Sequence, residues 1–388
     1  MRGTIMNPKM LRILALACAL ALPAAARVSA AEPYRIGAVF SITGPGAWLG
    51  EPERDTAKML AEEINAAGGI NGHPIELIIE DDAGEEAKSV LAAKKLIDRD
   101  KVLAIIGPST SGPSMALKKI ANEKETPLVS CAAAITIVTP PSESRWVFKT
   151  AQSDLHAVQR LFEHMKAKGI AKVAIITVSN GFGDSGRKEL LAAAPAFGIT
   201  IVADERYGQG DNDMTAQLTK IKGSGAQALV NWSIGPPQVI VTKNVQQLGI
   251  KIPFYQSHGW GNIKNIEQAG PAAEGVLAVL GQLMVAEGLP DAHPQKKVLT
   301  AYKKAYETRF KKDVSAFGGY AWDALSLVAD ALKTAGPDRA RIRDHIAGRK
   351  NFVGISGIFN FSPEDHNGLT KDAFEILKVK DARFVLSD

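Results

Sequence analysis

The feature that most constrains this chain is the regular exchange of short apolar runs with helix-spaced apolar residues. Tyr34–Phe40 is an apolar run of strand length, followed by a Gly/Pro turn. Ala57, Leu60, Ala61 and Ile64 then recur at helical spacing until Gly68 and Gly69 end the helix. Ile75–Ile79, Val102–Ile106 and Leu128–Ser130 read as further strands, with helices over Ser89–Asp98 and from Pro113 to Lys124 between them. Buried strands joined by helices imply a parallel sheet covered on both faces. The rhythm restarts after Thr150. Leu155, Val158, Phe162 and Met165 line a helix face, and Lys172–Val178 is an apolar strand. A helix runs from Asp184 to Phe197, and Ile199–Ala203, Ala228–Trp232 and Pro253–Gln256 are further strands. Two long helices follow, near Pro294–Phe310 and Ala316–Thr334, and Gly354–Asp388 reads as short strands and turns. The expectation is α/β architecture with two doubly wound lobes, each a mainly parallel sheet.

The first thirty residues stand outside that rhythm. Arg2, Lys9 and Arg12 precede a Leu/Ala-rich run from Leu11 to Ala26, and Val28-Ser29-Ala30 places small residues before a cut ahead of Ala31. This is the pattern of a cleaved secretory signal, too short and too rich in alanine for a membrane anchor. A lipoprotein cut at Cys18 is the weaker alternative, because only a short apolar stretch precedes it. Residues 1–30 carry four basic side chains and no acid, so their loss lowers the net charge from +5 to +1. Neither nucleic acid nor an anionic membrane is implied as a partner. Only Cys131 would remain, which rules out an intrachain disulfide in the mature chain. The remaining length is more than one core usually fills, so two domains are expected.

Ligands of doubly wound sheets bind at the carboxyl ends of strands, which directs attention to the strand-to-helix turns. Gly181-Phe182-Gly183-Asp184-Ser185-Gly186 matches the dinucleotide fingerprint in full. An exported protein has little access to that cofactor, and Phe182 stands where a pyrophosphate needs bare backbone. The alternatives are glycines that serve packing alone, or Phe182 and Trp48 as apolar walls of a cleft. The turn Gly107-Pro108-Ser109-Thr110-Ser111-Gly112-Pro113-Ser114 precedes a helix whose first residue is read as Pro113. Helix N-termini bind anions, and Ser111 is the hydroxyl best placed to cap the helix or to touch a carboxylate. The small loop Ser130-Cys131-Ala132-Ala133-Ala134 either packs closely or leaves room for a ligand. No nucleophile elbow, Walker loop or zincin motif occurs, the seven histidines lack metal-ligand spacing, and neither metal nor cofactor is expected. Asp81 and Asp82, adjacent on a strand, face opposite ways and cannot share a proton site.

The stretches GPGAWLG, INAAGGINGHPIELIIEDDAG, IIGPSTSGPS, FKTAQSD, GFGDSG, QSHGWGN and GGYAWDAL, in this order, resemble the leucine/isoleucine/valine-binding proteins of bacterial ABC importers over essentially the whole mature length. The resemblance implies a type I periplasmic binding fold: two Rossmann-like lobes joined by a three-crossover hinge near Phe148–Thr150, Val276–Leu280 and Phe352–Ser356. Lobe 1 would comprise residues 31–150 and 280–354, and lobe 2 residues 151–279 and 355–388. It also implies a periplasmic monomer that captures a small molecule for an inner-membrane permease and performs no chemistry. Ser111, Ala132 and Ala134 match positions that hold a ligand carboxylate, although relatives often carry a second hydroxyl where this chain has Ala134. Trp48, Phe182 and Trp232 match aromatic walls. His258 falls where the amino-acid binders place an acid against the α-ammonium. That departure points to a small aromatic or other apolar carboxylic acid; the alternative is leucine, isoleucine or valine, with Asp184 or Asp211 meeting the ammonium. An exported enzyme on the same fold is a third reading.

Overall fold

A computed structural model describes residues 31–387 of the chain. The expected leader over residues 1–30, with Cys18, lies outside them. No helix among the described residues is long and apolar enough to cross a membrane. Strands β1 (Tyr34–Phe40), β2 (Ile75–Asp81), β3 (Ala104–Ile106), β4 (Leu128–Ser130) and β5 (Val147–Lys149) form an all-parallel sheet in the order β2-β1-β3-β4-β5. A second sheet contains β6 (Lys172–Val178), β7 (Thr200–Tyr207), β8 (Ala228–Trp232), β9 (Phe254–Gln256) and β10 (Leu277–Gly281), all parallel. It is extended past β10 by antiparallel β13 (Phe374–Lys380) and β14 (Arg383–Leu386). A short hairpin pairs β11 (Phe352–Val353) with β12 (Ile358–Phe359).

Both faces of each sheet are buried, and the period of two decides which residue goes where. In β6, Val173 and Ile175 join one core while Ala174, Ile176 and Val178 join another. In β1, Ile36, Ala38 and Phe40 face the helix Ala316–Ala335, and Val39 faces the opposite core under the helices Glu86–Lys94 and Ser111–Glu123. The long helices Ala47–Ala66 and Ala316–Ala335 pack directly on each other. The chain therefore returns to the first sheet's side after β10 and crosses back only to form β13 and β14.

The passages between the lobes are stitched by buried polar groups. The Lys149 ammonium donates to the carbonyl of Ala151 at 2.6 Å, and Asn367 Nδ2 donates to the carbonyls of Lys149 and Ala151. Gln152 Nε2 reaches the Ser356 carbonyl at 2.9 Å. Asp323, on the helix Ala316–Ala335, accepts from the backbone N–H groups of Ile355 and Ser356 at 2.6 and 2.8 Å. Burial pushes the Asp323 carboxyl up to about 7 and the Lys149 ammonium down to about 7.

Several boundaries differ from the sequence reading. The helix read from Pro113 begins two residues earlier, at Ser111, so Ser111 is its first residue and the cap position belongs to Thr110. The helix read over Ser89–Asp98 is a helix over Glu86–Lys94 closed by a wider π turn over Lys95–Arg99. The helix Arg339–Gly348 was not anticipated, nor was the antiparallel attachment of β13. Long-range pairing is invisible to local periodicity.

The helix Gly181–Ala193 crosses the end of β8 at a glycine. A Cβ on Gly186 would lie 2.0 Å from the indole Nε1 of the fully buried Trp232. Gly186→Ala is expected to destabilise the protein by about 1–3 kcal/mol through overpacking. Gly223→Ala, where a Cβ meets nothing within 4 Å, should be neutral or stabilising by up to about 1 kcal/mol. Urea unfolding followed by tryptophan fluorescence compares the two. Equal stability of Gly186→Ala and wild type would contradict the packing account.

Candidate functional site

The carboxyl ends of β1, β3, β4, β6, β8 and β9 from the two sheets meet, and their loops line a narrow cavity of about 20 Å³. That is far below the roughly 300–1,000 Å³ typical of small-molecule sites, so the lobes stand closed on each other here and must part to admit a ligand. Lobe 1 lines it with Leu49, Ser109, Thr110, Ser111, Cys131, Ala132 and Ala133. Lobe 2 contributes Phe182, Ile234, His258 and Gly259, and the helix Ala316–Ala335 adds Phe317 and Tyr320. Wider hollows elsewhere are surface grooves without this convergence of strand ends.

The two helix starts facing each other across the cleft differ in one respect. Asn180 caps the helix Gly181–Ala193, accepting from Phe182 N at 3.1 Å and Gly183 N at 2.9 Å. Those N–H groups, which a dinucleotide phosphate would need, are thus engaged by the chain itself. A Cβ on Gly183 would fall 1.7 Å from the Val178 carbonyl oxygen, so this glycine, like Gly186, serves close packing. Thr110, by contrast, makes no capping bond to the helix Ser111–Glu123. Its own Oγ1 is buried with no partner among the described residues. This helix start, free of a side-chain cap, brings its positive end to the cavity that Thr110 and Ser111 line. The Ser111 hydroxyl accepts from Ala134 N at 3.3 Å, which ties the two lobe 1 loops together and leaves its proton available.

Of the residues singled out from sequence, Ser111, Ala132, Phe182 and His258 line the cavity. Ala134 lies behind it, as the donor to Ser111. Trp232 is fully buried behind Phe182 and His258, with ring centroids 5.8 and 5.5 Å away. Trp48 is half-buried at the junction of the lobes, touching apolar residues of both cores, and its carbonyl accepts from Asn262 Nδ2 at 3.2 Å. The adjacent Leu49 is the one that reaches the cavity. The lobes are in contact here: a Cβ on Gly181 would lie 2.9 Å from the backbone nitrogen of Gly112.

His258 is 3% exposed and sits edge-on to Phe182, Trp232 and Phe374, at centroid distances of 5.2, 5.5 and 5.5 Å. Neither ring nitrogen has a hydrogen-bond partner among the described residues. Burial, reinforced by the Lys149 ammonium, holds its pKa down at about 3, so the ring is neutral at physiological pH. Asp184 and Asp211 do not approach the cavity. Asp184 pairs with Arg206 on the surface, and Asp211 accepts from Gly208 N in an exposed turn.

Ser109 and Cys131 lie in turns that the sequence pointed to without being picked out from them, whereas Leu49, Ile234, Phe317, Tyr320 and, behind the lining, Glu53 were missed. Ser109 Oγ accepts from Ser41 N at 3.0 Å and donates to Glu53, whose second oxygen is buried with no partner among the described residues. Burial raises the Glu53 carboxyl well above the usual carboxylate range. Its signal was present: Glu53 sits four residues after Leu49 and four before Ala57, on the helix face that turns inward.

Residues 33–383 match the family model described as periplasmic binding protein. The chain is 27% identical over 311 residues to the leucine-, isoleucine-, valine-, threonine- and alanine-binding protein of Pseudomonas aeruginosa, covering 79% of this chain and 80% of that protein. It is 25% identical to Leu/Ile/Val-binding protein homolog 3 of Brucella melitensis, over 98% of this chain and 99% of that one. An extracellular ligand-binding receptor from Rhodopseudomonas palustris superimposes with a TM-score of 0.86 at 30% identity, covering 92% and 99% of the two chains. A branched-chain amino acid transporter substrate binding protein from Streptococcus pneumoniae, solved with isoleucine, gives 0.79 at 26% identity, covering 91% and 98%.

The depressed pKa of His258 has a definite sign in stability. Unfolded, the ring takes a proton near its ordinary 6.5; folded, it does so near 3. The stability it supports is complete above about 6.5 and is lost as the pH falls toward 3. The His258 ring resonances should stay flat between about pH 5 and pH 8 in NMR titration. A midpoint near the ordinary histidine value would overturn the placement of this ring.

Proposed function

This chain belongs to the periplasmic binding protein family, and we propose from that premise that it is the solute-capturing component of an ABC importer, taking a small apolar carboxylic acid, aromatic acids favoured, into the inter-lobe cavity and delivering it unchanged to an inner-membrane permease. The observation that carries the ligand class is His258. A buried ammonium without a paired anion costs several kcal/mol, and a neutral imidazole supplies no such charge. The carboxylate would meet the Ser111 hydroxyl and the uncapped start of its helix, while Phe182, Phe317, Leu49 and Ile234 surround the apolar body. The aromatic preference of the wall follows from Phe182 and Phe317 facing the cavity with Tyr320 beside them.

Capture alone accounts for the groups present. Among the described residues no cluster of side chains could hold a metal ion. The Ser109 hydroxyl is held between Ser41 N and Glu53, whose carboxyl burial keeps in its protonated form; burial likewise raises the Cys131 thiol, and His258 is walled by rings.

A second reading, leucine, isoleucine or valine, is favoured by what the named relatives bind and by Glu53. Its unpartnered carboxyl oxygen is a buried acid behind Ser109, and an ammonium in the cavity would draw it into its charged form. Calorimetry with benzoate, hydroxybenzoates, phenylalanine, leucine, isoleucine and valine separates the two. The aromatic acids should bind and raise the melting temperature, and be recovered unchanged. Tight leucine binding with no response to aromatic acids would establish the second reading instead. Ser111→Ala should weaken the bound acid by roughly ten- to a hundredfold, the worth of a hydrogen bond of about 1.5–3 kcal/mol to a charged group. An unchanged affinity would remove Ser111 from the carboxylate site.

A further inference from the structure

We propose that the cavity selects acids carrying a neutral oxygen on the carbon next to the carboxylate, that is, α-hydroxy or α-keto acids with an apolar body, and that His258 is the residue that reads this oxygen. The inference rests on the capture of a small apolar acid argued above, and goes further by asking what satisfies the imidazole. A neutral histidine has one N–H donor and one bare nitrogen acceptor. Leaving such groups unpaired in a buried site costs about 1–3 kcal/mol each. His258 is 3% exposed, and neither nitrogen has a protein partner among the described residues. Phe182, Trp232 and Phe374 surround the ring and offer it no acceptor, so the cavity, which His258 lines, is where its partner must come from.

A purely hydrocarbon body would bury the ring unsatisfied. An ammonium would meet a group that can accept but carries no charge. A carbonyl oxygen accepts from the ring N–H, and a hydroxyl can accept from it or donate to the bare nitrogen. The compactness of the space fixes where this oxygen sits. Ser111 from one lobe and His258 from the other line the same narrow cavity. A ligand that holds its carboxylate at Ser111 and offers an oxygen to His258 does so most directly from adjacent carbons. The Thr110 hydroxyl lines the same cavity, also without a partner, and supplies a further polar group on the carboxylate side.

The test uses two sets of acids that share a skeleton and differ only at that carbon. One set is isocaproate, α-hydroxyisocaproate, α-ketoisocaproate and leucine; the other is hydrocinnamate, phenyllactate, phenylpyruvate and phenylalanine. Each is titrated into the purified mature protein by calorimetry at neutral pH. In at least one set the keto or hydroxy acid should bind tenfold or more tightly than both the unsubstituted acid and the amino acid. His258→Phe should lose that preference, and His258→Gln, which keeps a donor and an acceptor, should retain part of it. The wild-type ranking decides the claim even if a variant fails to fold. Unsubstituted acids binding as tightly as their oxygenated counterparts would overturn the role of His258 and leave acid capture standing. Leucine or phenylalanine binding best would overturn both, and binding of none of the eight would overturn the capture of small apolar acids itself.

Discussion

Burial of both faces of two mainly parallel sheets is the constraint from which the site follows. Strands such as β3, β4 and β8 have no solvent-facing side, so every residue along them is committed to a core. Polar chemistry open to a ligand gathers where the strands end. Because the strands run parallel, those ends lie together on one edge of each sheet, and the loops leaving them carry Ser109, Ser111, Cys131, Phe182 and His258 to one place. The site is thus a by-product of strand direction, with its chemistry decided by the few residues after each strand.

The same burial makes the passages between lobes costly, and the chain meets that cost with charged and amide side chains. Lys149, Gln152, Asp323 and Asn367 satisfy backbone groups that no sheet or helix can reach. Asp323 and Lys149 are both held near neutrality in their titration by burial. The polar stitching therefore fixes the crossing segments without a close buried ion pair, whose desolvation would offset much of its attraction.

Much of this was legible in the sequence because it depends on local pattern. The apolar runs at Tyr34–Phe40 and Lys172–Val178 and the spacing of Leu155, Val158, Phe162 and Met165 report burial directly, and each falls in the strand or helix expected. Ser111 and Phe182 were visible because they follow strands. What sequence did not reveal is what depends on neighbours distant in the chain. Trp232 lies at the end of its strand like the others, yet it faces Gly186 on a neighbouring helix and stays behind the cavity. Glu53 was hidden because a carboxylate within a helix is usually a solvated face. Here that face packs beneath Ser109 from a loop 56 residues away. The start of the helix at Ser111 was misplaced because Pro113 suits the third helical position as well as the first.

The contact between Gly112 and Gly181 carries a consequence of its own. Two stretches of backbone, one from each lobe, come to rest on each other with the Met115 methyl beside them. Main chain is the least compressible surface a protein can offer, and it cannot rotate out of the way as a leucine can. The meeting point acts as a doorstop: at these two residues the loops have no slack left through which to approach further.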